Sequence, residues 1–391
     1  MAFKPSEVAE ILVGGRVFRD WESVIVHLAE GEAANTARFT VSEGMPLAGE
    51  MAAVRIKPGE HCTIKLAGET AITGYVETRQ VAYTATAHGV ELIVRSLTKA
   101  AADASAMTKT LEFKKKNLQQ IATELLKPIG IQFVPKGPIS GKPFDRVNIA
   151  PGESIYNTIE TLARQRGVTL GTDVMGNMTG RTMWFPIGDS LIEGINILEG
   201  RETWTIQQGD GGDQGNGVDF TSSQATADKN RWGAQAAHDP NSNASKITNA
   251  GQGGQGVYAP NRNLAEHPGD KNDAAQRANY EAQKRGDEQL QVQITVQGWL
   301  KPSGGLWMPG DKVHVKSPML IVDEDLKLMV AEFRQDSRSG TTTQLELTRD
   351  GGQGEDAGKG LDFSQQSQSG ATSGTNVPSD ATGGGRIQSP A

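Results

Sequence analysis

Apolar residues recur at every second position through a series of short runs in the first hundred residues. SVIVHLAEG sets Val24, Val26 and Leu28 on one side, and ARFTVSEG follows with Phe39 and Val41. A period of two sends successive side chains to opposite faces, which is the signature of a strand with one buried face. EHCTIKLAGETAITGYVE gives two more runs around an Ala-Gly-Glu-Thr turn, and HGVELIVRSL places Val90, Leu92 and Val94 in phase. Short alternating runs divided by glycine predict an antiparallel barrel or sandwich.

From about Ala100 the period lengthens. NLQQIATELLKPIG stacks Leu118, Ile121, Ala122 and Leu125 on one helical face, with Asn117 as its cap and Pro128 as its stop. ESIYNTIETLARQRGVTL does the same with Ile155, Ile159, Leu162 and Ala163, closed by a left-handed Gly167. The runs IQFV and TMWFPIGD between and after them read as strands, so this stretch is a small α+β unit. INILEGRETWTIQ returns to strand periodicity. A long polar segment then runs from QQGDGGDQGNG to NASKITNAGQGGQG, predicted to be a surface insertion or an arm that orders on assembly. DAAQRANYEAQKRGD reads as a helix closed at Gly286. LQVQITVQGWL follows, with Leu290, Val292, Ile294 and Val296 opposed to Gln291, Gln293, Thr295 and Gln297. VHVKSPMLIVD, LKLMVAEFRQD and TTTQLELTRD continue the strand series.

The predicted fold is therefore α+β and mainly β. A first antiparallel β-barrel over residues 1–102 and a second over 193–350 flank an α+β domain with two helices over 103–192. The second barrel carries a polar and helical insertion at about 207–287, and residues 351–391, rich in Gly, Ser and Gln, form a disordered tail.

Composition narrows the chemistry. The 391 residues suit two to four domains. A formal net charge of -7 disfavours a dedicated duplex-DNA binder, which needs a basic face to neutralise phosphates. One cysteine, Cys62, excludes an intrachain disulfide framework and any Cys-based zinc site. MAFKPSEVAEILVGG lacks the pattern of a secretory signal, and no apolar run is long enough to span a bilayer. The expectation is a soluble protein without membrane insertion.

No catalytic, cofactor-binding or metal-binding residue is predicted. GDGGDQGNGVD (209–219) lacks the strand, helix and Lys-Ser/Thr pair of a phosphate loop, and the tandem copies of a calcium roll, so it reads as a flexible loop. The six histidines, His27, His61, His88, His238, His267 and His314, include no H-x-x-x-H pair, and His27 and His314 fall on the solvent side of their strands. Cys62 is in phase with Ile64 and Leu66 and reads as a small buried hydrophobe. Asp323-Glu324-Asp325 reads as a hairpin turn, not as a metal clamp or glycosidase carboxylates. Lys114-Lys115-Lys116 reads as a solvated loop or strand edge, with a patch for an acidic partner as the alternative.

The ordered set of segments resembles the baseplate hub proteins of contractile-tailed bacteriophages, most closely those of the Mu type. Weaker likeness extends to T-even hubs and to the N-terminal half of type VI secretion spike proteins. The segments are the strand series ending ELIVRSLTKAAADASA, the helices NLQQIATELL and ESIYNTIETLARQRGV, and the series EQLQVQITVQGWLKPSGGLWMPGDKVHVKSP … LMVAEFRQDSRSGTTTQLELTRDGG. The resemblance implies a non-enzymatic structural protein of the virion tail baseplate, assembled in the host cytoplasm. It implies a homotrimer joining the hexameric tail tube to the trimeric central spike, touching other baseplate proteins and passing DNA through its lumen without specific binding. In that setting Met308-Pro309-Gly310-Asp311 is a tight turn, and Trp299 and Trp307 pack across the barrel end or the subunit interface. A cell-wall-degrading tail-tip enzyme and a glycan-binding adhesin are the alternatives.

Overall fold

A computed structural model of the chain describes residues 7–43, 56–84, 88–108, 111–205, 216–225, 242–249, 261–264, 277, 280, 284, 287 and 290–349. The N-terminal region contributes β1 (Ala9–Val13), β2 (Arg16–Phe18), β3 (Ser23–Ala29), β4 (Thr36–Glu43), β5 (His61–Leu66), β6 (Glu69–Tyr83) and β7 (His88–Ser96). The middle region holds α1 (Lys99–Asp103), β8 (Glu112–Lys116), α2 (Leu118–Leu126), β9 (Phe133–Lys136), β10 (Phe144–Asn148), α3 (Ile155–Gln165), β11 (Thr169–Thr172) and β12 (Met178–Arg181). Then come β13 (Phe185–Ile192), β14 (Glu199–Trp204), β15 (Asn216–Ala225), β16 (Ser242–Asn249), β17 (Asn261–Leu264), β18 (Leu290–Gln297), β19 (Asp311–Ser317), β20 (Val322–Asp336) and β21 (Gly340–Arg349).

The mainly β character agrees with the sequence, but the strands do not close into two barrels. Their pairing runs open, β14-β18-β21-β20-β3-β4-β7-β6-β5-β1-β2, with β19 and β13 branching from β20 in one 13-stranded sheet. The cause lies in β20. At 15 residues it is long enough to pair with β19 through its first half and with β3 through its second, while β21 follows its other edge. The β3–β20 ladder, from Ala29↔Val330 to Ser23↔Asp336, sews the first and last β regions together. One apolar core accordingly draws on both, with Val24, Val26, Leu28, Phe39, Leu92, Ile294, Ala331, Phe333 and Leu345 all buried in it.

The middle region has its own core around Leu118, Ile121, Leu125, Ile159, Leu162 and Phe144. Asn117 accepts from the Gln120 amide while the Gln120 side chain accepts from the Asn117 amide, a reciprocal cap that satisfies two orphan donors of α2. Pro128 sits in the short 3-10 turn that ends that helix, and Gly167 has φ +65° just past α3. The polar segment expected to be a surface insertion or an arm contains three strands, β16-β15-β17, in a sheet of their own, and β15 takes up 216–219 of the stretch read as a flexible loop. Arg277, Tyr280, Lys284 and Asp287 are helical, and Gly286, the expected stop, lies outside the described residues. The tail expected to be disordered, 351–391, lies outside the described residues.

One buried ion pair joins these parts. Glu30, just after β3, accepts from Arg181 Nε and Nη2 at 3.1 and 3.0 Å through one carboxylate oxygen, and both side chains are nine-tenths buried or more. Arg181 also donates through Nη1 to the Gly310 carbonyl at 3.3 Å. The Pro-Gly-Asp turn is thus a lid on the guanidinium. A Cβ at Gly310 would lie 2.1 Å from Arg181 Cζ, at a φ of +98° that disfavours any side chain, and a Cβ at Gly171 would lie 2.2 Å from Glu30 Oε2. Burial pushes the Glu30 carboxyl up to about 7, against the pull of Arg181. Beside this turn, Trp299 and Trp307 are buried in the chain's own core, not at a subunit interface; Trp299 donates Nε1–H to the Arg334 carbonyl at 3.3 Å and its amide to Glu7 at 3.0 Å. Removing one charge of such a pair costs more than removing both. Arg181→Met is expected to lower unfolding stability by on the order of 3 kcal/mol in urea titrations, and the Glu30→Leu/Arg181→Met double variant by clearly less; equal losses would show that the pair does not act as a unit.

Candidate functional surface

The open sheet has two faces, and the alternation of each strand decides what they carry. The inner face holds the apolar core. On the outer face the register aligns one residue per strand from Glu199 through Thr295, Gln344, Glu332, His27, Thr36, Arg95 and Tyr75 to His61. A parallel row runs Gln297, Thr342, Arg334, Ile25, Arg38, Ile93, Thr78. Threonine and glutamine dominate β18 and β21, where Gln291, Gln293, Thr295 and Gln297 face out beside Thr342, Gln344, Glu346 and Thr348. Threonine suits a pleated surface and glutamine keeps it wet without charge.

Three arginines on this face are neutralised by carboxylates within the sheet. Arg38 pairs with Glu91 at 3.0 Å across β4 and β7, Arg95 with Glu77 at 3.0 Å, and Arg334 with Glu332 two residues away on β20. His27 occupies the seam where β3 meets β20. Its Nδ1 lies 3.4 Å from Glu332 and its Nε2 3.3 Å from Glu32, and these two carboxylates raise its pKa to about 9. His27 is therefore not simply solvent-facing: it is a half-buried cation between two acids. The same contact holds Glu32 and Glu332 below the ordinary carboxylate range.

The other residues singled out by sequence are not brought together. Cys62 is buried in the main core, where burial pushes its thiol up to about 12. Asp323-Glu324-Asp325 is not a turn but the start of β20; the turn is the preceding Pro318–Ile321. There His314 meets Asp325 at 2.9 Å and Asp323 at 3.2 Å, while Arg349 grips Glu324 through two nitrogens. Lys114, Lys115 and Lys116 lie on β8 of a two-stranded sheet, each paired with a carboxylate (Glu112, Asp145 and Glu124). His238, His267 and residues 209–215 lie outside the described residues, as does the His88 side chain. Among the described residues no group of three His, Cys, Asp or Glu side chains is placed to hold a metal, and no helix is long and apolar enough to cross a membrane. A cleft of about 440 Å³, lined by Tyr156, Arg181, Trp184, Tyr280, Lys284 and Lys327, escaped the sequence reading because its walls come from four distant segments. Its buried Lys327 is held by Asp287 at 3.0 Å.

The folded His27 pKa exceeds its unfolded value of 6.5, so its contribution to stability is complete below pH 6.5 and is lost as pH rises through about 9. Urea titrations across that window are expected to show a decline in stability that His27→Gln flattens. A decline of the same size in the variant would remove the seam histidine as its cause.

Comparison with known proteins matches three segments of the chain. Residues 8–96 match the family model described as Mu phage baseplate assembly protein GpP-like, N-terminal; residues 98–179 match baseplate hub protein gp44-like, second domain; residues 287–352 match tail protein, C-terminal domain. The chain is 24% identical over 383 residues to baseplate hub protein gp44 of Escherichia phage Mu, covering 91% of this chain and 95% of that one. Its fold is shared with the 43 kDa tail protein of prophage MuSo2 from Shewanella oneidensis, at a TM-score of 0.72 and 24% identity over 88% of this chain and 98% of the other. The tail protein of Neisseria meningitidis MC58 gives 0.68 and 20%, over 88% and 97%. In sequence along nearly its whole length the chain is similar to the baseplate hub protein gp44 of phage Mu, and in fold to these two tail proteins.

Proposed function

We propose that the chain is the structural hub subunit of a contractile-tail baseplate, and that three copies form a ring joining the tail tube to the central spike. In this reading residues 1–102, 103–192 and 193–350 are its working domains, its place is the virion tail, and it performs no reaction of its own. The outer sheet face carries the proposal. It is continuous across β14 to β5, rich in Thr and Gln, and Arg38, Arg95 and Arg334 along it are paired with carboxylates in the plane of the sheet, with Arg201 exposed on the edge strand. Such a face suits the wall of a conduit. Duplex DNA is captured by unpaired cations that release its counterions, and a wall whose cations are already neutralised offers little to capture it. The segment around 209–272 is, in the same reading, an arm toward a neighbouring subunit.

The assembled protein, purified as a ring with a central channel visible in negative stain, is expected not to retain duplex DNA even at low salt. Gln293→Lys with Gln344→Lys would place two new cations per subunit on the same face, and DNA retention should then appear at low salt and vanish as salt rises. Strong DNA binding by the unmodified ring, or no response to the added lysines, would count against this face as the conduit wall.

A further inference from the structure

The cleft beside Trp184 gathers positive charge in a chain whose formal net charge is -7. Arg181, Lys284, Lys312 and Lys327 line it against Glu160 and Asp287. Pairing does not cancel the excess. Glu30 meets Arg181 from behind and Asp287 meets Lys327, but Glu160 is engaged by Arg164 at 2.7 Å, a cation outside the lining. With Glu30 and Arg164 included, five cations stand against three carboxylates. The walls are aromatic as well. Arg181 and Lys327 hold their charges 5.6 and 5.3 Å from the centre of the Trp184 ring, and Tyr156 and Tyr280 add two more rings to the lining. An occupant that suits these walls carries carboxylates next to an apolar group.

The strand register brings such a segment to the site. Lys312, Lys327 and Thr348 are direct partners across β19, β20 and β21, so their side chains share one face of the sheet. Thr348 Oγ1 is buried there with no hydrogen-bond partner. β21 ends one residue later at Arg349, about 6 Å from the Lys327 backbone by the spacing of antiparallel strands, and residues 350–391 continue from that point. The first part of this tail has the complementary chemistry. Between 350 and 363, Asp350, Glu355, Asp356 and Asp362 stand against one cation, Lys359, and Phe363 is the one aromatic residue beyond β21. Asp362 is thirteen residues past Arg349, a reach of roughly 40 Å, and Gly351, Gly352 and Gly354 suit the reversal that a return to the cleft requires.

We propose that residues 355–363 dock in this cleft of their own chain, with Leu361 and Phe363 against Trp184 and Tyr280 and the Asp362 carboxylate toward Lys284 and Lys312. The same chain is the source because attachment at Arg349 holds the segment at high local concentration beside the cleft. Composition alone predicts disorder throughout 351–391; docking gives the first part of that tail a fixed seat and straps the helix of Tyr280 and Lys284 to the sheet. The proposal does not rest on the hub reading, and its failure would leave that reading untouched.

Hydrogen exchange of the full chain, read by mass spectrometry, tests it. The amides of Leu361, Asp362 and Phe363 should exchange at least tenfold more slowly than in a synthetic peptide of residues 353–365. That protection should be the same at every protein concentration and should fall as salt rises. Lys284 is exposed, so Lys284→Glu should abolish the protection while the β20 amides keep theirs, and Phe363→Ser should do the same. Exchange at the rate of the peptide would overturn the docking. Protection that survives both variants would seat the segment elsewhere and overturn the cleft as its site. Protection that grows with protein concentration would assign the segment to the cleft of a second copy and overturn the same-chain contact.

Discussion

A carboxylate and a guanidinium withdrawn from water cost several kcal/mol each unless they are paired, and that demand organises the joint between the domains. Glu30 comes from the end of β3, Arg181 from β12, and the carbonyl that completes the guanidinium from Gly310. The three segments are far apart in the chain, so none can settle independently. The pair also explains why glycine stands at 171 and 310, where a Cβ would enter the carboxylate or the guanidinium. Two further bonds brace the same joint: Gly31 donates its amide to Leu170 O at 2.8 Å, and Tyr156 donates to Gly31 O at 3.1 Å. Buried pairs of this kind fix arrangement more than they add stability, and here the arrangement seats the α+β region beside the end of β3.

That end of β3 is also where the two β regions meet. A seam made by a single ladder would open more easily than one inside a hairpin, because no short loop holds its strands at high local concentration. The chain answers on both faces. Inside, Val24, Val26, Leu28, Ala331 and Phe333 are buried together; outside, His27 bridges to Glu332 across the same register. The core thus fixes the pairing, and the outer face is free to be polar without loss of the fold.

Much of this was legible in the alternation of residues. The strands SVIVHLAEG, ARFTVSEG and LQVQITVQ, both α2 and α3, the Asn117 cap and the burial of Cys62 follow from short-range pattern, because period and capping act within a few residues. The open sheet was not legible. Alternation states which face of a strand is buried but not which strand lies beside it, and only the β3–β20 register distinguishes one continuous sheet from two closed ones. Asp323-Glu324-Asp325 misled for a related reason: three acids mimic a turn, yet opposite His314 and Arg349 they are tolerated in a strand. Arg181 carries no local signal at all, since its partner stands 151 residues away.

An open sheet must dispose of its edges. Free edges template pairing with other chains, and proteins blunt them with short or charged strands. β2 is three residues long with Arg16 at its start, and β14 alternates Glu199, Arg201 and Thr203 toward the outer face. Both edges are thus guarded against indiscriminate strand addition. The exposed apolar side chains Ile195, Leu198, Met319 and Ile321 sit in turns and not on the edge strands themselves. Glu193, accepting from the Ser317 hydroxyl and the Met319 amide, holds the β19–β20 turn to the turn after β13, so this corner of the sheet is fixed by side chains where no further strand is paired.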